Sequence, residues 1–225
     1  RSQVVYRIAE MLEGRKAQFI DELMKQDSTK EQAEKEVSLS IERLIYYAGW
    51  CDKFQQLYST VNPVASSHFN FSAPEPTGVV SIIAPQNNSL IGLVSVIAPI
   101  IAGGNTCVVL ASASKPLCAV TFAEVLGTSD VPGGTINILT GKPGELLSWF
   151  SDHMDVNAIV FCENDKEAIL KIQQKATLNL KRVLLWNNYN WLLETAQNPY
   201  LINDAQEIKT TWHPIENIGG AKAGY

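Results

Sequence analysis

The sequence lacks a surplus of basic residues. Its 225 residues include 18 lysines and arginines against 23 aspartates and glutamates, which gives a net charge of −5 at pH 7. The basic residues are spread along the chain and form no dense run. Because general nucleic-acid binding depends on a basic surface that neutralises phosphates, this charge balance predicts no nucleic-acid partner.

Standard nucleotide and metal motifs are also missing. Neither GxGxxG nor GxxxxGKS/T occurs, which excludes the usual Rossmann and P-loop fingerprints. His68, His153 and His213 are scattered, without carboxylate or cysteine partners at ligand spacing, so no metal site is predicted. The longest apolar stretch, residues 90–102, is too short to span a bilayer, which predicts no membrane partner.

Cysteines are few, and none is spaced for metal binding or redox exchange. Cys51, Cys107, Cys118 and Cys162 form no CxxC pair, which indicates reduced thiols in a reducing compartment. The sequence opens at Arg1 directly into an amphipathic pattern, without a secretory leader. Together these features predict a cytoplasmic protein.

What the sequence does contain is a helical amino-terminal segment, residues 1–56, followed by a predicted edge hairpin at 57–76 with strands at 57–61 and 68–72. The run Ser28-Thr29-Lys30-Glu31 predicts a capping box at the start of a long helix. The apolar residues expected to face the core follow a helical period. They are Val4, Val5, Ile8, Leu12, Phe19, Ile20, Leu23, Met24, Ala33, Val37, Ile41, Leu44, Ile45 and Ala48.

Residues 77–186 alternate short, mostly β-branched strands with helices. Strands are predicted at 79–84, 106–110, 135–139, 158–161 and 182–185, and helices at 90–102, 117–126, 145–150 and 166–175. Buried strands joined by helices indicate a parallel sheet with right-handed crossovers. The sequence therefore predicts an α/β fold with a doubly wound, mostly parallel sheet.

The carboxy-terminal part, residues 187–225, is predicted to be a linker followed by a strand of a different kind. Over 206–214, Ile208, Thr210 and Trp212 alternate with Lys209 and its neighbours, a pattern typical of a half-exposed edge strand. The four segments are expected to form one domain.

Several short motifs, in order, resemble the aldehyde dehydrogenase family over nearly the whole chain. They are Tyr46-Tyr47-Ala48-Gly49-Trp50, Glu75-Pro76-Thr77-Gly78-Val79, Ala102-Gly103-Gly104-Asn105-Thr106, Val131-Pro132-Gly133-Gly134 and Leu180-Lys181-Arg182-Val183. The resemblance implies that residues 77–186 form the family's Rossmann-like coenzyme domain. The run Glu207-Ile208-Lys209-Thr210, extended by Thr211 and Trp212, resembles the family's oligomerisation strand.

A contiguous block of the family pattern is absent. In the family, a region that holds the nucleophilic cysteine separates the strand near Leu180 from the terminal strand, whereas here only residues 186–206 intervene, without a cysteine. Covalent hydride-transfer chemistry then has no nucleophile. The chain most resembles the shortened, non-catalytic second module of the tandem family-sixteen aldehyde dehydrogenases, which implies that it is the carboxy-terminal part of a longer polypeptide.

The positions that match the family's catalytic residues are altered or isolated. Asn87 matches an asparagine whose amide donates to the oxyanion. It also fits a polar turn that caps the following helix, and the missing nucleophile favours that interpretation. Trp186 stands where the family has its general-base glutamate, and an indole cannot accept that proton. The resemblance therefore implies no catalytic residue in this module.

The positions that match the cofactor site are altered too. Ala111 stands where the family has a lysine that holds the adenosine ribose. Glu163 and Asn164 replace a glycine-bearing turn, and Ala168 a second glycine, at the helix that faces the pyrophosphate. Asn164 with Glu167 is predicted to form a capping box, and the Glu163 carboxylate would repel phosphate. The resemblance implies a module that binds no NAD.

Three functions remain open. A structural module would keep the α/β core and the edge strand, and would bind its own copy as a homodimer or the enzymatic first module of the same polypeptide. A regulatory domain would hold NAD in a changed pose. An active NAD-dependent aldehyde dehydrogenase, which oxidises an aldehyde to a carboxylic acid, would take its nucleophile from outside this chain. The replaced residues favour the first.

Overall fold

A computed structural model describes residues 1–215 of the chain. The helices are α1 (Ser2–Gly14), α2 (Lys16–Met24), α3 (Lys30–Trp50), α4 (Phe54–Tyr58), α5 (Leu90–Ala102), α6 (Leu117–Gly127), α7 (Pro143–Asp152), α8 (Lys166–Ala176) and α9 (Tyr200–Asp204). The strands are β1 (Thr60–Asn62), β2 (His68–Pro76), β3 (Val79–Ile83), β4 (Thr106–Leu110), β5 (Ile136–Leu139), β6 (Ala158–Phe161), β7 (Arg182–Leu185) and β8 (Gln206–Pro214). Residues 216–225, the end of the predicted carboxy-terminal segment, lie outside the described residues.

The central element is a five-stranded parallel sheet with the strand order β5-β4-β3-β6-β7. β3 lies in the middle, where Val80 pairs with Cys107 of β4 on one side and with Ala158 of β6 on the other. The crossover from β3 to β4 passes through α5, because parallel neighbours need a long connection. The predicted α/β fold with a parallel sheet is confirmed.

Helices cover both faces of this sheet. On one face all thirteen residues of α5 are buried, because α5 packs against the sheet and is itself covered by α3. On the other face α7 and α8 carry Leu147, Phe150 and Ile172 into a cluster with Ile83 and Phe161 of the strands. Strands buried on both faces are apolar at nearly every position, as β6 is throughout. The one polar residue of β3, Ser81, is buried and donates to Phe150 O at 3.3 Å.

A second, antiparallel sheet contains β1, β2 and β8, with β8 at its edge. β8 pairs with β2 along nine residues, with Phe71 opposite Thr211 and Ser72 opposite Thr210. The expected hairpin differs at its start, because residues 57 and 58 belong to α4 and the strand begins at Thr60. β8 is also more exposed than a half-exposed edge strand, since residues 207–210 are exposed on both faces.

Two expectations for the helical segment are wrong. The capping box lies one residue later, where Thr29 Oγ1 accepts from Gln32 N at 3.3 Å and Gln32 Oε1 accepts from Thr29 N at 2.9 Å. Met24 and Ile45 are exposed and do not face the core. α3 packs against α1, α2 and α5, so its buried stripe extends to polar residues that an apolar pattern does not mark, among them Arg43.

Arg43 attaches the segment between β7 and β8 to the core. Its Nη2 donates to the carbonyls of Trp191 and Leu193, both at 3.2 Å, and its Nε donates to Gln197 Oε1 at 3.1 Å. Its Nη1 donates to Ser95 Oγ of α5 at 2.7 Å. Trp186 and Trp191 are buried in the same core cluster. The segment between β7 and β8 is therefore packed onto the α/β core.

Candidate functional site

The carboxyl ends of β3 and β6 mark a topological switch point. From β3 the chain runs through α5 to β4 on one side, while β6 pairs with β3 on the other. In open α/β sheets, ligands bind in the crevice that such a reversal leaves beyond the strand ends. Here residues 84–87 follow β3, residues 111–115 follow β4 and residues 162–165 follow β6.

A carboxylate of the chain itself crosses this switch point. Glu163 Oε1 accepts from the backbone amide of Gln86 at 2.8 Å, which joins the turn after β6 to the turn after β3. The side chain of Gln86 donates to Ala84 O at 2.8 Å and accepts from Ala113 N at 2.8 Å. Gln86 therefore connects the turns that follow β3, β4 and β6.

The turn after β4 is bound to the same residue by two hydroxyls. Ser112 Oγ and Ser114 Oγ donate to Gln86 O at 2.8 and 2.9 Å. Ala111 is buried and offers no polar atom for a ribose. Lys115, the nearest cation along the chain, lines a cavity of about 430 Å³ on the α3 side. The position that matches the family's ribose lysine thus contributes packing alone.

The amino terminus of α8 is capped by its own chain. Asp165 is the N-cap, and its Oδ1 accepts from Glu167 N at 3.0 Å and from Ala168 N at 3.1 Å. The expected capping box of Asn164 and Glu167 is wrong, because the Asn164 amide donates instead to Asn187 O at 3.1 Å. The sequence did carry a signal for the correct cap, since an aspartate directly precedes Lys166.

The amino terminus of α5 is capped by a residue from another helix. Glu36 Oε1 of α3 accepts from Leu90 N at 2.9 Å and from Ile91 N at 3.1 Å. Asn87 was expected to cap this helix, and that expectation is wrong because its side chain is exposed and lines the 430 Å³ cavity. Sequence reasoning missed Glu36, which lies 54 residues before Leu90 and carries no local signal.

Trp186 is buried at the position that matches the general base. Its Nε1 donates to Asp204 Oδ2 of α9 at 3.1 Å, and burial raises the pKa of that carboxyl above its usual range. The half-buried Asp204 carboxylate is therefore engaged by the indole. The hydrogen bond fixes α9 against the end of β7.

None of the four cysteines has the character of a nucleophile. All are free thiols, and Cys107, Cys118 and Cys162 are buried. Burial raises the pKa of Cys107 and of Cys118 to about 12, and it raises the pKa of Cys162 well above its usual value. A catalytic thiol needs the opposite shift, toward the thiolate. Within residues 1–215, none of these thiols is suited to act as the nucleophile of covalent aldehyde oxidation.

The residues at the switch point do not fit a dinucleotide. A pyrophosphate needs free backbone amides, room for close approach and neighbouring positive charge. Here Asp165 occupies the first amides of α8, and Glu163 holds the Gln86 amide. Two carboxylates, Glu163 and Asp165, thus belong to the turn after β6, and they would repel an approaching phosphate.

The edge strand β8 is the second candidate surface. Ile208 and Trp212 are 55% and 57% exposed. Glu207 and Lys209 form ion pairs with Arg182 and Glu75 at 2.8 and 3.0 Å. Thr210 and Thr211 were also expected at an oligomerisation surface. Thr210 is exposed and its hydroxyl is hydrogen-bonded to Ser72 Oγ at 2.8 Å, whereas Thr211 is half-buried. Across residues 1–215, no strand pairs with the outer edge of β8.

The described residues contain neither a metal-binding cluster nor a membrane-spanning helix. Among residues 1–215, no three His, Cys, Asp or Glu side chains come together as a possible metal site. None of the helices described combines the length and the apolar character needed to cross a bilayer.

Comparison with known proteins gives one consistent relationship. A putative aldehyde dehydrogenase, DhaS of Bacillus subtilis, is 31% identical over 187 residues, covering 82% of this chain and 37% of its own length. Cytosolic 10-formyltetrahydrofolate dehydrogenase of Xenopus tropicalis is 32% identical over 192 residues, covering 82% of this chain and 21% of its own. The crystal structure of PnpE of Pseudomonas sp. WBC-3 in complex with nicotinamide adenine dinucleotide superposes with a TM-score of 0.77 at 24% identity, over 82% of this chain and 38% of that one.

The match is partial on both sides. The chain spans between about a fifth and two fifths of the length of these relatives. The family model described as the aldehyde dehydrogenase family matches residues 1–188, which leaves out the segment that carries α9 and β8. On the strength of that match, which extends from α1 to the end of the parallel sheet, the chain belongs to the aldehyde dehydrogenase family.

Proposed function

We propose that this chain is a non-catalytic module that serves assembly within a larger aldehyde dehydrogenase-type polypeptide, as the shortened second module of a tandem protein. The observation that carries the proposal is β8, a nine-residue edge strand with Ile208 and Trp212 exposed. The unpaired edge of a long strand is a template for pairing with another chain. The partner is a second copy, as a homodimer, or the first module of the same polypeptide.

The absence of catalysis follows from three replacements. The four thiols are held neutral or away from the switch point, Trp186 stands at the general-base position, and Glu163 closes the crevice. Each replacement removes a different requirement of the reaction, namely nucleophile, base and cofactor site. The free thiols also support a reducing, cytoplasmic location.

β8 is held in a fixed position, which favours association. Arg182 Nη1 donates to Asp204 O at 3.1 Å and to Gln206 O at 2.6 Å, and so ties the base of β8 to the edge of the parallel sheet. Gln206 Nε2 donates to Gly103 O at 3.3 Å, and a Cβ at Gly103 would overlap that amide. A strand that is already ordered loses less conformational entropy on binding than a flexible segment does.

Solution mass tests the proposal. Removing residues 207–214 should convert a dimer to monomers in small-angle scattering, and the double variant Ile208→Lys, Trp212→Lys should do the same while leaving β8 in place. We expect at least a hundredfold weaker association, since a buried tryptophan anchor contributes about 2 kcal/mol or more and a buried isoleucine about 1.5–3 kcal/mol. Val120→Lys on α6 is the matched control, because Val120 is 57% exposed and far from β8 in the sequence. An unchanged mass for both β8 variants would contradict the proposal.

A second candidate function is a role in an active NAD-dependent aldehyde dehydrogenase whose nucleophile lies outside this chain. Asn87 favours it, because its amide remains exposed beside a cavity that it shares with Lys115. In the full-length protein, Asn87→Ala should lower aldehyde oxidation about 10²- to 10³-fold if this amide serves the oxyanion. The assembly proposal expects unchanged activity in that variant.

A further inference from the structure

A side-chain carboxylate bridges the switch point of the parallel sheet. Glu163 follows the end of β6. Its carboxylate accepts a hydrogen bond from the backbone amide of Gln86, which follows β3, at 2.8 Å. These two residues are 77 positions apart, and the strands that they follow are central neighbours in the sheet. The contact therefore lies where the general rule for α/β sheets places a bound anion.

The rest of the crevice is built around this contact. Gln86 accepts from Ala113 N through its side chain and from two serine hydroxyls through its carbonyl, so three turns converge on one residue. Asp165 satisfies the amides of α8 on the other side of the turn. The amides of Gln86, Glu167 and Ala168 are thus already paired with carboxylate oxygens of the protein.

We propose that Glu163 is a built-in brace, an internal carboxylate that fills the anion position of the crevice and joins β3 to β6 in place of a dinucleotide. A bound ligand stabilises a fold in proportion to its concentration relative to its dissociation constant. A covalently attached carboxylate gives a bridge that is present at every ligand concentration. The module therefore keeps one crevice conformation whether NAD is abundant or scarce.

Amide hydrogen exchange at Gln86 tests the brace in the full chain. Glu163→Ala should speed exchange of the Gln86 amide about ten- to hundredfold, the range for losing one charge-assisted hydrogen bond. Glu163→Gln should give a smaller increase, because its amide oxygen can still accept. Glu167→Ala is the matched control, since it removes the same charge from an exposed residue four positions on and should leave Gln86 unchanged.

NAD itself is the second probe. Millimolar NAD should change neither the melting temperature of the native chain nor its exchange at Gln86. The proposal is overturned if Glu163→Ala leaves Gln86 exchange unchanged, or if NAD protects Gln86 in the native chain. Its failure is separable from that of the assembly proposal, because the brace is read from Gln86 exchange and assembly from solution mass.

Discussion

At the scale of single residues, the buried guanidinium of Arg43 joins the segment between β7 and β8 to the core. Arg43 is 1% exposed and donates to four neutral acceptors, three of which belong to the segment between β7 and β8. Burial lowers the pKa of Arg43 below its usual value, yet a guanidinium remains protonated at any physiological pH. These neutral acceptors, two of them backbone carbonyls, stabilise its charge. The same hydrogen bonds hold the segment between β7 and β8 in place.

Replacing Arg43 should destabilise the protein strongly. Arg43→Ala leaves the carbonyls of Trp191 and Leu193 without a donor and opens a cavity, so we expect a loss of about 3–5 kcal/mol in the free energy of unfolding. Urea unfolding at pH 7 measures it. Arg7→Ala, at an exposed ion pair, should change the free energy by no more than about 0.5 kcal/mol. Equal effects of the two variants would show that Arg43 is not the link we describe.

Thiol reactivity should follow burial. With a pKa of about 12, Cys107 and Cys118 present about one thiolate in ten thousand at pH 8, because a raised pKa favours the protonated form. Alkylation of the native protein should therefore reach Cys51 first, since it is only partly buried. The three buried thiols should react at the rate of unfolding, and mass spectrometry of digested samples separates the four sites. Rapid native labelling of Cys162 would contradict the inactive-thiol interpretation.

At the scale of elements, sequence patterns predicted what local physics decides. α5, β4, β6, β7 and β8 begin and end where periodicity and apolar runs placed them. Two of the failures arise where a distant residue decides the local structure. Glu36 caps α5 from another helix, and the Asn164 amide donates to Asn187 O, 23 residues later, so that Asp165 caps α8. Sequence patterns depend on neighbouring residues and do not contain contacts made across the fold. The hydrogen bond between Glu163 and Gln86, 77 residues apart, is another such contact.

The cap of α5 gives a prediction at this scale. Glu36→Ala leaves the amides of Leu90 and Ile91 buried without an acceptor, which should cost about 2–3 kcal/mol in thermal unfolding. Glu36→Gln keeps an acceptor oxygen and should cost less than half as much. Glu34→Ala, two residues earlier on the exposed side of α3, serves as the control and should be near neutral. If Gln proved as damaging as Ala, the negative charge and not the hydrogen bonds would carry the effect.

At the scale of the molecule, the α/β fold of the family is retained, Glu163 joins the turns after β6 and β3, and within residues 1–215 the outer edge of β8 pairs with no strand. Residues 1–188 match the aldehyde dehydrogenase family, and the segment beyond them supplies the buried Trp191 and β8. The sequence resemblance identified which positions had changed. It could not reveal what replaced their contacts, because Arg43, Gln86 and Asp204 acquire their roles only through the tertiary structure.

The central claim is that β8 is a pairing edge, and hydrogen exchange of its backbone amides at several protein concentrations tests it most directly. We expect the amides of residues 207–213 that do not pair with β2 to be protected at high concentration and to exchange faster on dilution, together with a fall in mass. Fast exchange of those amides at every concentration, both alone and within the full polypeptide, would contradict the account.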